Sequence, residues 1–209
     1  MKLYHCRDAR SFRPLWAMEE MAIAYELVNL PFPPRVKVAG YLDINPLGTV
    51  PTFIDNNLVM TESVAICQYL AEKYQASHLI VSPKDAEYGE YLNWLYRSDT
   101  TFTFPQALIL RYERYEPEER RQPQVAQDYR KWLTSRLRSV ESQLDNNEYL
   151  CANKFTLADI CVGYALYLAQ LTAIDSHFGP NTKAYLERLK HRDAFQSALT
   201  RQQDLAPIF

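Results

Sequence analysis

No stretch of this 209-residue chain approaches the roughly 20 consecutive apolar residues that a membrane span requires. Its opening, MKLYHCRDAR, reads into a strand where a secretory leader would have its apolar core. A soluble chain without a targeting segment is expected. An excess of one charge is also missing: 25 acidic residues face 23 basic ones, for a net charge of −2. That balance gives no strong pull toward phosphate backbones or anionic lipid, so neither nucleic acid nor a membrane is an expected partner. The four cysteines, Cys6, Cys67, Cys151 and Cys161, include no close pair of the kind that builds a zinc site or a CxxC redox motif, which fits a reducing cytoplasm. His5, His78, His177 and His191 are dispersed without ligand spacing, so no metal is expected. Internal repeats are absent too.

What is present is a hydrophobic content of 47%, enough for the packed core of one large or two small domains. Lys2–His5 reads as a strand, about Ser11 to Ala24 as a helix, and Tyr25–Leu30 as a second strand. The proline-rich Pro31–Pro34 leads into an irregular stretch that ends at Asn45-Pro46-Leu47-Gly48. Thr52–Ile54 and Leu58–Met60 flank Asp55-Asn56-Asn57, whose short polar side chains tolerate the left-handed backbone of a tight hairpin. Thr61-Glu62-Ser63 then opens a helix with Ile66, Tyr69 and Leu70 at helical spacing. The order is βαβ, then ββα. His78–Pro83 reads as a connector. Beyond it only helices are expected, near 85–115, 124–145, 156–172 and 182–200, with Ile160–Leu171 apolar nearly all round and therefore central.

Gly48-Thr49-Val50-Pro51-Thr52-Phe53 is the most informative segment, because a proline entering a strand lacks the donor that the ladder needs. An X-Pro bond is held cis at a cost of only about 0.5–1 kcal/mol, so Val50-Pro51 is the natural place for a cis turn. Such a turn exposes the Val50 N–H and C=O for pairing with a peptide ligand, as an added strand would pair. Glu62-Ser63 follows eleven residues later at a helix start. There the helix N–H groups and the Ser63 hydroxyl suit a carboxylate, and Glu62 suits an ammonium. Taken separately, Pro51 reads as the end of a loop and Thr61-Glu62-Ser63 as ordinary capping; their spacing favours a shared site for an α-amino acid end.

Asn45-Pro46-Leu47-Gly48-Thr49-Val50-Pro51 followed by Thr61-Glu62-Ser63 resembles the N-terminal domain of cytosolic glutathione transferases. Ser11-Phe12-Arg13-Pro14-Leu15-Trp16, with Glu19-Glu20 and Tyr25-Glu26, resembles the bacterial form of the first helix and second strand. Phe155-Thr156-Leu157-Ala158-Asp159-Ile160 resembles the family's folding signature, a capping box with a hydrophobic staple. The resemblance spans nearly the whole chain. It implies a thioredoxin-like glutathione-binding domain over 1–77 and an all-helical domain over 84–209, an α/β plus all-α protein. It also implies a cytoplasmic homodimer active in detoxification, with glutathione as co-substrate and no metal. Glutathione is then expected against Thr49, Val50, Pro51, Glu62 and Ser63. Thr49 stands where the family usually has a lysine.

The chemistry implied is attack by the glutathione thiolate on a small hydrophobic electrophile. A thiol with a reference pKa near 8.5 must be held as the anion by donors at the start of the first helix. Family members place Tyr, Ser or Cys in this loop. Here Arg10 stands where bacterial cysteine-type enzymes have their cysteine, which leaves Ser11 as hydroxyl donor and Arg10 as cationic stabiliser. Cys6 and Tyr4 are competitors for the role, more simply read as packing residues. Phe104 and Tyr112 are the expected walls of an electrophile pocket between the domains. The rival readings are a glutathione-dependent disulfide reductase or peroxidase, and a non-catalytic interaction module on the same fold.

Overall fold

In the computed structural model, which describes residues 1–208, strand β1 (Lys2–His5) turns Leu3 and His5 to its buried face and leaves Lys2 and Tyr4 partly open. Helix α1 (Phe12–Glu20) follows, with Phe12 to Met18 all buried, and then strand β2 (Glu26–Asn29). The sequence reading carries α1 on to Ala24. It stops sooner because Ala22 takes a left-handed backbone, φ +50°, and turns the chain into β2. Two short turns, α2 (Pro34–Lys37) and α3 (Tyr41–Ile44), fill the stretch expected to be irregular. Strands β3 (Thr52–Asp55) and β4 (Leu58–Met60) form the expected hairpin, with Asn56 left-handed at its tip, and helix α4 (Ser63–Lys73) closes the pattern.

The sheet order is β2-β1-β3-β4. β1 pairs parallel with β2 and antiparallel with β3, setting Tyr4 opposite both Val28 and Thr52. This is the thioredoxin-like arrangement. It carries the end of β1, the entry to β3 and the start of α4 into one region, where the candidate site lies.

A second run of helices follows. α5 (Tyr88–Arg97) and α6 (Phe104–Leu110) belong to one nearly continuous helical stretch, interrupted by wide turns at Ser98–Thr103 and Arg111–Tyr115. Pro105 has no N–H to give the preceding turn. Side chains serve carbonyls there: the Thr103 hydroxyl bonds Ser98 O at 2.7 Å and Gln106 Nε2 bonds Phe102 O at 2.8 Å. α7 (Pro123–Gln143) is followed by α8 (Leu157–Leu171), which is buried from Leu157 to Ala169, as its all-round apolar sequence leads one to expect. Thr156 and Asp159 form the expected capping box, and Asp159 also accepts from the Leu150 N–H at 3.0 Å and the Tyr185 hydroxyl at 2.8 Å.

The single helix expected near 182–200 is two, α9 (Pro180–Lys190) and α10 (Asp193–Arg201). Arg192 is extended between them, and its guanidinium forks onto the Glu20 carboxylate at 2.6 and 2.8 Å. By contact the chain divides into Met1–Ile80 together with the residues from Lys190 on, and Val81–Leu189. The final segment joins the first unit through Phe195, which meets Phe12 and Trp16 edge-on at 5.2 and 4.8 Å. Among the described residues no helix is long and apolar enough to cross a membrane.

Candidate functional site

The Val50-Pro51 peptide bond is cis, as its sequence leads one to expect; Phe32-Pro33 is cis as well. The corner is held from behind. The Thr49 carbonyl accepts from the Tyr41 hydroxyl at 2.6 Å and from Asn45 Nδ2 at 2.9 Å, and both groups also reach the buried Thr52 hydroxyl, at 2.8 and 3.0 Å. Gly48 is left-handed, φ +64°, and a Cβ there would lie 2.8 Å from the Arg35 Cβ, so only glycine fits the approach to the turn. With Thr49 occupied in this way, Val50 is half-buried, and among the described residues neither its N–H nor its C=O has a partner. Thr49 itself is exposed and Pro51 is buried.

Glu62 and Ser63 stand at the start of α4, Glu62 as the exposed, extended cap residue and Ser63 as the first helical residue, 4% exposed. The first N–H groups of the helix lack partners in their own helix and carry its positive dipole end. Behind Ser63 lies Arg13 of α1, fully buried, whose Nη1 donates to Ser63 Oγ at 3.0 Å. A guanidinium is a donor only, so the Ser63 oxygen must accept, and its own proton is not spent on Arg13. An extended peptide backbone with a terminal carboxylate fits these two features, the open Val50 edge and the α4 start.

Ser11 sits at the start of α1 but does not cap it; its backbone is already helical and its side chain makes no cap bond. It is fully buried. Its hydroxyl lies 2.8 Å from His5 Nδ1, and its oxygen receives the Cys6 N–H at 3.4 Å. His5 is fully buried too, and desolvation pushes its imidazole down to about 4. Arg10 precedes Ser11 and is half-buried. Of the competitors, Cys6 is buried with its thiol pushed up to about 12 by desolvation, which removes it as a ready thiolate. Tyr4 packs edge-on against Tyr41 at 6.1 Å.

Ser11, Arg10, Thr49, Val50, Pro51, Glu62 and Ser63 all lie within the first compact unit. Phe104 and Tyr112 belong to the second, where Phe104 is 51% exposed and Tyr112 is half-buried. Sequence reasoning missed Arg13, His5 and Gln202. Arg13 looks like a surface charge on an amphipathic helix until its burial is seen, and Gln202 meets His5 across 197 positions.

Comparison with known proteins places the chain in a family. The glutathione S-transferase N-terminal domain family matches residues 1–72 and the corresponding C-terminal domain family residues 101–193. Glutathione S-transferase 2 of Schizosaccharomyces pombe is 30% identical over 163 residues, covering 75% of this chain and 69% of that protein. Glutathione S-transferase GstA of Escherichia coli O157:H7 is 26% identical over 203 residues, covering 96% of this chain and 98% of that one. Among solved structures, a ternary complex of BphK, a bacterial transferase, superposes with a TM-score of 0.85 at 28% identity, over 97% of this chain and 100% of that one. By sequence and by fold, the chain belongs to the glutathione S-transferase family.

Proposed function

We propose that this chain binds glutathione in its first unit, stabilises the thiolate and transfers it to a small hydrophobic electrophile. The observation that carries the reading is the unpartnered Val50 backbone beside the cis proline, together with a Ser63 hydroxyl whose own proton the Arg13 bond does not use. The cysteinyl backbone of glutathione pairs with Val50 in strand fashion, with Pro51 fixing the corner and Thr49 at its rim. The γ-glutamyl carboxylate takes the Ser63 proton and the first N–H groups of α4, and Glu62 takes the ammonium. At the other end the thiol meets the start of α1, with Arg10 as the positive charge; Ser11, expected as the hydroxyl donor to the thiolate, instead has its hydroxyl 2.8 Å from His5 Nδ1 and is assigned to fixing the loop. Thiolate formation releases the proton to solvent. The sulfur then forms a bond to the electrophilic carbon as the leaving group departs with its electron pair. Phe104 and Tyr112 are assigned to the apolar electrophile. No metal enters the reaction.

Glutathione binding is thereby assigned to the domain expected over 1–77, which the residues from Lys190 on join by contact, and electrophile binding to the rest of the helical domain expected over 84–209. The four buried free cysteines suit a reducing cytoplasm and detoxification there. The exposed Leu58 and Val59 on the edge strand β4 suit a homodimer. Calorimetric titration with glutathione, followed by turnover against electrophiles, disulfides and peroxides, tests the reading. Micromolar binding with conjugation supports it, turnover of disulfides or peroxides alone moves it to a reductase or peroxidase, and no binding overturns it. Sedimentation tests the dimer: a monomer at micromolar concentration removes that part.

A further inference from the structure

The β1–α1 loop is tied down by a polar chain that the reading above does not use. Gln202 lies beyond α10, 2% exposed. Its Nε2 donates to Asp8 Oδ1 at 2.7 Å, and its Oε1 lies 3.0 Å from both the Asp8 N–H and His5 Nε2. A carboxylate oxygen accepts, so the amide nitrogen must face Asp8 and the amide oxygen must face His5. An amide oxygen also only accepts, so His5 carries its proton on Nε2. In a neutral ring Nδ1 is then a bare lone pair, and Ser11, 2.8 Å away, must donate to it. The single Ser11 proton is therefore directed inward, away from any ligand.

The same C-terminal segment grips the loop elsewhere. Arg7 Nη1 donates to the carbonyls of Gln203 and Leu205 at 3.2 and 2.7 Å, and Arg7 pairs with Asp8 at 3.5 Å. Ile208 packs on the cluster of Cys6, Leu30 and Tyr41, against which Ala9 and Val50 also pack. Residues 6 to 11 are thus clamped between β1 and residues 202 to 208.

We propose that Gln202 is a positioning residue for the thiol end of the glutathione site: by fixing the His5 tautomer it commits the Ser11 hydroxyl inward and sets where Arg10 and the start of α1 meet the sulfur. The proposal rests on the glutathione reading and says how Ser11 serves it, by holding the loop and not by donating to the thiolate. Removing the amide lets His5 take the other tautomer, frees the Ser11 hydroxyl and loosens the loop, so the bound thiol loses stabilisation while the Val50 and Ser63 contacts remain.

Two measurements test this. Histidine nitrogen shifts in the wild-type protein, assigned with His5→Asn, should show the Nε2–H tautomer at His5; the Nδ1–H form overturns the proposal without any variant at position 202. The second measurement is a titration of thiolate absorbance of bound glutathione in wild type, Gln202→Met, Ser11→Ala and the double variant. Gln202→Met and Ser11→Ala should each raise the bound thiol pKa by about half to one unit, about three- to tenfold less thiolate below that pKa. The double variant should add little, since both cut one network. Glutathione affinity should stay within about twofold. A shift in Ser11→Ala alone means direct donation by Ser11 and sinks the proposal, as does Gln202→Met that lowers only the melting temperature. Intact glutathione binding with an unmoved thiol overturns this inference by itself, whereas absent binding in wild type overturns the glutathione reading first.

Discussion

Two serines stand at helix starts in the first unit, and they behave in opposite ways. Ser63 opens α4 with Arg13 behind it, a group that can only donate, so its proton is left for a ligand. Ser11 opens α1 with the bare nitrogen of His5 behind it, an acceptor, so its proton is drawn inward. Residue type and local geometry are nearly the same. What differs is the hydrogen-bonding sign of the buried partner, and that sign decides which serine keeps a proton to offer and which spends it inside the loop. The same contrast separates the two ends of the proposed tripeptide, a glutamyl end bound by direct contacts and a thiol end arranged from within.

The largest expected effect is at the inward end. His5 is held near 4 by burial, against an unfolded value of 6.5, while the adjacent Asp8 and Arg7 pair with each other. The unfolded chain therefore takes up the proton first as pH falls. The contribution is fully present above about pH 6.5, falls by about 3 kcal/mol by pH 4 and stays flat below. Urea unfolding at pH 7 and pH 4.5 should show this loss in wild type and its absence in His5→Asn; equal pH dependence in both would refute it. At the outward end, Ser63→Ala removes a donor to a carboxylate, worth about 1.5–3 kcal/mol, so glutathione Kd should rise about ten- to a hundredfold with kcat at saturation little changed. Titration calorimetry reads this directly, and an unchanged Kd would erase the contrast between the serines.

Reversing the partner behind Ser63 gives a smaller change. Arg13→Met lets the Ser63 hydroxyl rotate and should weaken glutathione by roughly fivefold, about 1 kcal/mol, with Arg13→Lys recovering most of it. Equal affinity in Arg13→Met and wild type would show that the buried donor does not orient Ser63. The smallest effect is at the exposed rim. Thr49→Lys adds a cation beside an anionic ligand and should tighten binding about twofold at low salt, an advantage lost in high salt. A gain that persists at high salt would point to a contact other than charge.

Much of this was readable beforehand. β1 and the Asp55–Leu58 hairpin stand where alternation and short polar turn residues put them, and so does the central helix with its Thr156–Asp159 box. The Val50-Pro51 corner and the α4 start were legible because each announces itself within a few residues. Helix ends were not. α1 stops at Glu20 and the last helix breaks at Arg192 with no glycine or proline to mark either place; left-handed Ala22 and the Arg192–Glu20 ion pair decide them. The partners behind the serines were hidden for a different reason. Arg13 meets Ser63 across 50 positions, and Gln202 meets His5 across 197, and no local pattern encodes contacts at such separations.

The first unit begins with β1 yet needs Phe195 and Gln202, from beyond the whole helical unit, to cover Trp16 and lock His5. During synthesis, at roughly 5–20 residues per second, the sheet waits about six to twenty-five seconds after residue 80 emerges before those pieces exist. One unit is nested inside the sequence of the other, so the helical unit can complete itself on the ribosome while the sheet-bearing unit closes last.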